Sequence, residues 1–197
     1  MTLKQFFNEC SCNFSPLLKF KWDMKLPVLF SFVMVCILSV SCTKSNLSDD
    51  SAIAIENPSS VPTTVNKSVM LQLVNDVRKA GCQCGDTYYY PAPAVSWNAQ
   101  LEAAAYEHSE DMYSNNYFNH TAPDGSNGGV RIERAGYDWA TFGENIAMGY
   151  RTEKDVVNDW LQSPGHCKNI MNRNFKEMGV ARVGNYWTQE FGAKTIQ

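Results

Sequence analysis

At residues 143–147 the chain reads GENIA, a carboxylate set between a glycine and a short apolar run. An acid in such a segment needs a partner, because burying an unpaired charge costs a large free energy. The chain has three histidines, His108, His120 and His166, and the last two flank Glu144, each in a turn marked by glycine or proline. We predict that His120 and His166 converge with Glu144 on one polar cleft. The competing interpretation is a structural glutamate held by a salt bridge.

The segments on either side of this stretch predict helices first and a β-hairpin last. Apolar spacing predicts helices at 68–80, 98–115 and 126–135 and after residue 152. The side chains of Asn66, Asn98 and Thr152 are predicted to cap the first, second and last of these. Strands are predicted at 141–148, 178–183 and 186–191, and the turn at Gly184-Asn185 joins the last two as a hairpin. This order indicates an α+β fold with helices packed on a mainly antiparallel sheet.

The histidines differ in their settings. His108 lies on the inward stripe of a predicted helix, where a hydrogen-bonded core histidine is favoured over a ligand. His120 instead precedes the Pro123-Asp124-Gly125 turn, on a loop anchored by aromatic residues. Because binding residues concentrate on loops, His120 is the stronger candidate for function.

The N-terminal part reads as an export signal followed by a tether. Residues 28–40 carry no charge, a run too short for a spanning helix but suited to a signal peptide. The segment ends LSVSC at Cys42, which resembles a bacterial lipoprotein signal with Cys42 as the lipidated residue; plain secretion is the alternative. We therefore divide the chain into an N-terminal extension and signal (1–42), a flexible tether (43–66) and a folded domain (67–197) that works outside the cytoplasm.

Composition and charge limit the classes of partner. The chain has 197 residues, 44% of them hydrophobic, enough to build a core. Its formal net charge is −3 and it has no run of basic residues. Nucleic acid is therefore not an expected partner, and the membrane is expected to be contacted only through the N-terminal anchor.

Three cysteines fall in the predicted domain: Cys82, Cys84 and Cys167. Three ligands are too few for a structural zinc site of the four-ligand kind. In an oxidising compartment a disulfide is favoured, and it leaves one of the three outside the bond. We favour Cys84–Cys167, with Cys82–Cys167 as the alternative.

Several motifs occur in an order that resembles the bacterial branch of the CAP superfamily. This SCP-like superfamily comprises cysteine-rich secretory proteins, antigen five and plant pathogenesis-related class 1 proteins. The likeness covers about residues 69–192. The motifs are His120 before its Pro-Asp-Gly turn, GENI at 143–146, WLQSPGH at 160–166, NIM at 169–171 and YWTQ at 186–189.

The resemblance implies an α-β-α sandwich, in which a central, mainly antiparallel sheet lies between helical layers. It also implies an extracellular protein with a polar cleft built on two histidines and two acids. His120 matches the first histidine and Glu144 the first acid. The positions of the second acid and second histidine fall on Ser163 and Tyr186, so the set of four is incomplete. We expect His166 to enter the cleft instead.

Two chemistries suit these cleft residues. His120, His166 and Glu144 could together bind zinc and leave a position open for water, with Glu144 as the candidate catalytic base. Alternatively, Glu144 hydrogen-bonds the imidazoles without a metal. Because Ser163 cannot replace the second acid, we favour a binding module for a small ligand, lipid, glycan or protein. A zinc-assisted hydrolase or peptidase is the alternative.

Overall fold

The computed structural model of the protein describes residues 64–195. The predicted signal, the lipidation site Cys42 and nearly all of the predicted tether lie outside the described residues. Within residues 64–195, no helix combines the length and the apolar character needed to cross a membrane.

Five helices and six strands lie in the described part of the chain. The helices are α1 (Lys67–Ala80), α2 (Ala99–Asn115), α3 (Gly128–Arg134), α4 (Glu153–Gln162) and α5 (Pro164–Met171). The strands are β1 (Cys82–Cys84), β2 (Thr87–Tyr89), β3 (Ser96–Trp97), β4 (Trp139–Met148), β5 (Glu177–Val183) and β6 (Tyr186–Lys194). Helices α1, α2 and α4 begin where the capping side chains of Asn66, Asn98 and Thr152 accept backbone N–H groups, as the sequence predicted.

The main sheet has four strands in the order β3-β5-β6-β4. Strands β5 and β6 form the predicted hairpin, β4 pairs antiparallel with β6, and the short β3 pairs parallel with β5. Strands β1 and β2 form a separate antiparallel pair. The predicted α+β class with a mainly antiparallel sheet is confirmed.

Helices cover both faces of the main sheet. On one face, Met178 and Val180 of β5 join a hydrophobic core with side chains of α1, α4 and α5. On the other face, helix α2 packs across β5 and β6, and its Ser109 donates a hydrogen bond to Thr188. Because successive side chains of a strand point to opposite faces, β5 and β6 contribute to both layers. Residues 64–195 therefore form an α-β-α sandwich.

Gly179 sets how closely helix α2 approaches strand β5. A Cβ atom at this position would lie 2.0 Å from the backbone nitrogen of Glu102 and 2.4 Å from the carbonyl carbon of Leu101. The helix backbone therefore occupies the space that a side chain would need. This close contact brings the middle of α2, with His108, over the strands that carry the candidate site.

Arg78 links helix α1 to the segment before β3, to the last turn of helix α5 and to the loop that follows α5. Its guanidinium is fully buried and donates hydrogen bonds to the carbonyl oxygens of Pro93, Ile170, Asn172 and Phe175, at 2.6–3.3 Å. Burial lowers the pKa of Arg78 to about 10. The charge is satisfied by backbone carbonyls instead of a carboxylate.

A disulfide joins Cys84 of β1 to Cys167 of α5, the preferred of the two pairings considered above. The two Cα atoms lie 5.5 Å apart, a normal separation for a disulfide. This bond fastens the β1–β2 pair to the helix that carries His166.

Candidate functional site

Glu144 lies on strand β4 with its side chain only 5% exposed, surrounded by nitrogen donors. Arg131 Nη2 of helix α3 lies 2.5 Å from Glu144 Oε2, and Nδ1 of His120 lies 2.6 Å from Oε1. Nε2 of His108, from helix α2, lies 3.9 Å from the same Oε1. The salt bridge of the competing interpretation is therefore present. Of the two histidines predicted to converge on Glu144, His120 contacts it, and the second imidazole near the carboxylate is that of His108 and not that of His166.

The opposite side of strand β4 is held by a network of amides. Asn169 of helix α5 donates to the carbonyl oxygen of Glu144 at 3.0 Å and to the side chain of Asn145 at 2.9 Å. Asn145 in turn donates to Gln189 of β6 at 2.9 Å. This network fixes the backbone from which Glu144 projects, so the carboxylate position is determined by the fold.

Arg131 connects the carboxylate to the loop that carries His120. Besides Glu144, its guanidinium donates to the carbonyl oxygen of Ser126 at 3.1 Å and to that of His120 at 3.0 Å. The Arg131 side chain is 2% exposed, whereas that of His120 is 53% exposed. The buried cation thus places an accessible imidazole beside a buried carboxylate.

Glu190 supplies a second carboxyl group from strand β6, directly across the ladder from Glu144. It is fully buried, and neither of its oxygens has a donor if the group is ionised. Its charged neighbour is Glu144, and two carboxyl groups buried side by side are stable only if one of them carries a proton. Glu190 is the protonated partner.

The two carboxyl groups shift in opposite directions. Burial and the charge of Glu144 raise the pKa of Glu190 well above its usual range. Burial also acts to raise the pKa of Glu144, but hydrogen bonds from His120 and Glu190, together with the charge of Arg131, lower it to about 2. At neutral pH the pair therefore carries one negative charge, on Glu144.

His108 is fully buried, in keeping with the predicted core position, and it also borders the site. Its ring nitrogens make no hydrogen bond of regular geometry with other described residues, although the backbone of Asn119 is near. Burial lowers the pKa of His108 despite the opposing influence of Glu144. A neutral imidazole therefore forms the inner wall behind Glu144.

His166 lies on helix α5, half-buried. Burial lowers the pKa of His166, and a positive charge on His120 lowers it further. The two histidines are therefore close enough to interact electrostatically. Nδ1 of His166 is buried and has no hydrogen-bond partner among residues 64–195. No hydrogen bond or ion pair is recorded between its ring and Glu144 within that range.

Ser163 and Tyr186 occupy more peripheral places. Ser163 is the residue between α4 and α5, and its backbone carbonyl accepts from Cys167 in the first turn of α5. The ring of Tyr186, at the start of β6, lies 6.5 Å from that of Phe118 and 6.4 Å from that of Tyr113, measured between centroids. Tyr186 thus belongs to an aromatic rim next to the His120 loop, and Ser163 to a helix boundary.

The predicted zinc ligands do not form a compact donor set. Among residues 64–195, the three cysteines alone form a group of at least three potential ligands whose donor atoms all lie within 4.8 Å of one another. His120, Glu144 and His166 do not, and both oxygens of Glu144 are already engaged by His120 and Arg131. A guanidinium bound to the carboxylate opposes a divalent cation there. In this conformation the three residues do not fit zinc.

Two members of the cluster, Arg131 and Glu190, were not predicted from the sequence. Arg131 lies in a helix that was predicted, but no sequence pattern pairs it with Glu144. Glu190 lies in the predicted β6. It is an acidic residue among buried residues, which is the kind of signal that drew attention to Glu144. The hairpin was predicted, but the register that puts β4 beside β6 was not.

Comparison with known proteins identifies the family. The sequence profile described as the cysteine-rich secretory protein family, CAP, matches residues 71–191. The uncharacterised protein YkwD of Bacillus subtilis is 42% identical over 96 residues, which is 48% of this chain and 37% of that protein. The chain spans less than two fifths of the length of the curated relatives it matches.

Solved structures share the fold. An extracellular SCP-domain protein from Bacillus anthracis has a TM-score of 0.55 and 31% identity, covering 64% of this chain and 41% of that one. An outer surface protein from Borrelia burgdorferi has a TM-score of 0.57 and 21% identity, covering 69% of this chain and all of that one. At the latter identity the likeness concerns the fold alone.

Proposed function

The chain belongs to the cysteine-rich secretory protein (CAP) family, and from that premise we propose that it is a binding module that works outside the cytoplasm. Its ligand would enter a cleft at His120, whose side chain is half exposed and held by Glu144. The ligand is a small molecule, lipid, glycan or protein. A group that presents an acceptor or a negative charge suits the exposed imidazole best.

The state of Glu144 carries this proposal. The carboxylate is buried, paired with Arg131, hydrogen-bonded by His120 and joined to a protonated Glu190. A general base needs a pKa near the working pH, whereas these partners lower that of Glu144 to about 2. Glu144 therefore orients His120 and is a poor proton acceptor.

An aromatic rim beside His120 supports binding. Tyr113 is 39% exposed and Phe118 is 47% exposed, and both pack against the half-buried Tyr186. Exposed rings next to a polar group provide flat apolar contact area at little entropic cost. The rim and His120 together would contact opposite ends of one ligand.

Location and attachment are part of the same proposal. The predicted signal, together with the extracellular SCP-domain protein of Bacillus anthracis, supports export of this chain. We place the domain on a tether anchored through a lipidated Cys42, with secretion as the alternative. Mass spectrometry of the processed N-terminus tests the anchor, and an unmodified Cys42 would contradict it.

Ligand capture tests the binding role. The full chain would be purified natively, and co-purified molecules identified by mass spectrometry. We expect His120→Ala and Phe118→Ala to lose the captured molecule, and Tyr90→Ala to keep it, since Tyr90 is an exposed ring that follows β2. Equal capture by all three variants would contradict the proposed cleft.

A hydrolase is the second candidate, favoured by the contact between His120 and Glu144. A histidine oriented by a carboxylate can act as a general base toward water. The test measures zinc uptake and turnover of peptide and ester panels by the full chain. Neither micromolar zinc affinity nor turnover is expected. Zinc binding that disappears in His120→Ala would revive the hydrolase, and turnover that disappears in His120→Ala would establish it.

A further inference from the structure

Three sulfur atoms meet where strand β1 packs on helix α5, away from the cleft. Cys82 and Cys84 are two residues apart on β1 and therefore point to the same side of the strand. Cys84 is bonded to Cys167, and Sγ of Cys82 lies 3.8 Å from Sγ of Cys167. All three sulfur atoms lie within 4.8 Å of one another.

We propose that Cys82 is an exchange thiol that moves the disulfide from Cys84–Cys167 to Cys82–Cys167. The Cys82 thiolate attacks Sγ of Cys167, a new Cys82–Cys167 bond forms, and the bond to Cys84 breaks. Cys84 leaves as a thiolate and takes up the proton that Cys82 gave up. The number of disulfides is unchanged, so the step needs no oxidant or reductant.

The geometry supplies proximity, and one local motion completes it. A separation of 3.8 Å is van der Waals contact between the two sulfur atoms. Exchange requires the attacking sulfur to line up with the disulfide axis, so the Cys82 side chain must turn within β1. Strand β1 has three residues and pairs only with β2, which leaves it free of the main sheet. Such a small element can open locally at low cost.

Burial protects the disulfide from thiols outside the domain. Cys82, Cys84 and Cys167 are 3%, 5% and 0% exposed. Thiols outside the domain therefore have little access to the bond. The internal thiol at contact distance is therefore the favoured partner for exchange, and mild reagents outside the domain compete poorly.

The sulfur pairing is connected to the candidate cleft through helix α5. The helix carries Cys167, His166 and Asn169, and Asn169 holds the backbone of Glu144. Pro164 begins the helix and lies against Gly85, the residue after Cys84: a Cβ atom at Gly85 would lie 3.0 Å from Cγ of Pro164. Moving the bond from Cys84 to Cys82 would change which end of β1 is fastened to α5, and so would shift the helix relative to Glu144.

Thiol mapping on the unmodified full chain tests the proposal. The protein is incubated natively at pH 8, quenched in acid to stop exchange, unfolded, alkylated with a maleimide and mapped by mass spectrometry without reduction. We expect two disulfide isomers: Cys84–Cys167 with label on Cys82, and Cys82–Cys167 with label on Cys84. Detection of the first isomer alone would overturn the proposal.

Two matched variants provide an independent test. Cys84→Ser, refolded with oxidised glutathione, should form the Cys82–Cys167 disulfide, whereas Cys82→Ser should keep Cys84–Cys167. If Cys84→Ser folds with both Cys82 and Cys167 open to alkylation after unfolding, Cys82 cannot reach Cys167 and the exchange is excluded. Mapping of the unmodified protein decides the matter should that variant fail to fold.

Discussion

Glu144 keeps its negative charge inside the protein because several neighbouring groups together offset the free energy of burying that charge. Arg131 supplies the positive charge, and the exposed His120 donates a hydrogen bond to the carboxylate. Glu190 stays neutral because its raised pKa keeps it protonated. Breaking a buried pair by removing one member is far more costly than the net benefit of forming it. The residue-scale predictions therefore concern the partners.

Arg131→Gln should destabilise the domain by about 3–5 kcal/mol, because it leaves the buried carboxylate without its counter-charge. Arg134→Gln on the same helix is the matched control, since Arg134 is half exposed and pairs at the surface with Glu107 and Asp124. Urea unfolding at pH 7 measures both. Similar midpoints for the two variants would show that Arg131 is not needed to balance Glu144.

Glu190→Gln should make the domain more stable at pH 8 but not at pH 4. The pKa of Glu190 is raised in the folded state, so its stabilising contribution is present below the unfolded pKa and is lost as the pH rises. The neutral amide avoids that loss. Melting temperatures from pH 4 to 9 test this, with the exposed Glu133→Gln as control; parallel curves would refute it.

The same linkage applied to Glu144 predicts an acid-sensitive range. Its pKa is lowered to about 2 in the folded state, so its contribution is present above the unfolded pKa, near 4.5, and is lost as the pH falls toward 2. Unfolding followed by circular dichroism should show this loss between pH 4.5 and 2. Glu144→Gln should flatten that part of the curve.

The sequence could indicate Glu144 because it is an acid beside an apolar run, and His120 because it lies on a turn-marked loop anchored by aromatic residues. Arg131 and Glu190 could not be assigned, since their roles depend on which strand lies beside which. Glu144 and Glu190 meet only because β4 pairs with β6 in one register. Such long-range pairing leaves no local pattern around either residue.

At the scale of elements, local signals located most of the structure. Asn66, Asn98 and Thr152 cap helices as predicted, because capping depends on a few consecutive residues. The strands β1, β2 and β3 have two or three residues each and were not predicted. Elements that short carry too little periodicity to be recognised.

The contact between α2 and β5 gives a prediction at this scale. Gly179→Ala should destabilise the domain by about 1–3 kcal/mol, because the added methyl group meets the helix backbone. Gly165→Ala on helix α5 is the matched control: nothing lies within 4 Å of its Cβ position, so it should be neutral or slightly stabilising. Thermal unfolding compares the two, and equal melting temperatures would contradict this close approach.

For the whole molecule, the disulfide is a long-range constraint. Cys84 and Cys167 are 83 residues apart, and closing a loop of that length stabilises the folded state by about 4 kcal/mol in the chain-entropy description. Cys84→Ser with Cys167→Ser should therefore lower the melting temperature strongly, whereas Cys82→Ser, which buries one hydroxyl but keeps the bond, should lower it much less. If the double variant has the same melting temperature as the unmodified protein, the disulfide adds no stability.

The contacts of Arg78 have a consequence for the order in which the chain becomes structured. Three of its four carbonyl partners lie 92 to 97 residues further along the chain. Helix α1 can therefore complete these contacts only when most of the domain is present. Contacts this distant in sequence slow folding, and a nascent chain shorter than about residue 175 has no place to bury the guanidinium. The chain must therefore extend at least through Phe175 before the buried contacts of Arg78 can form.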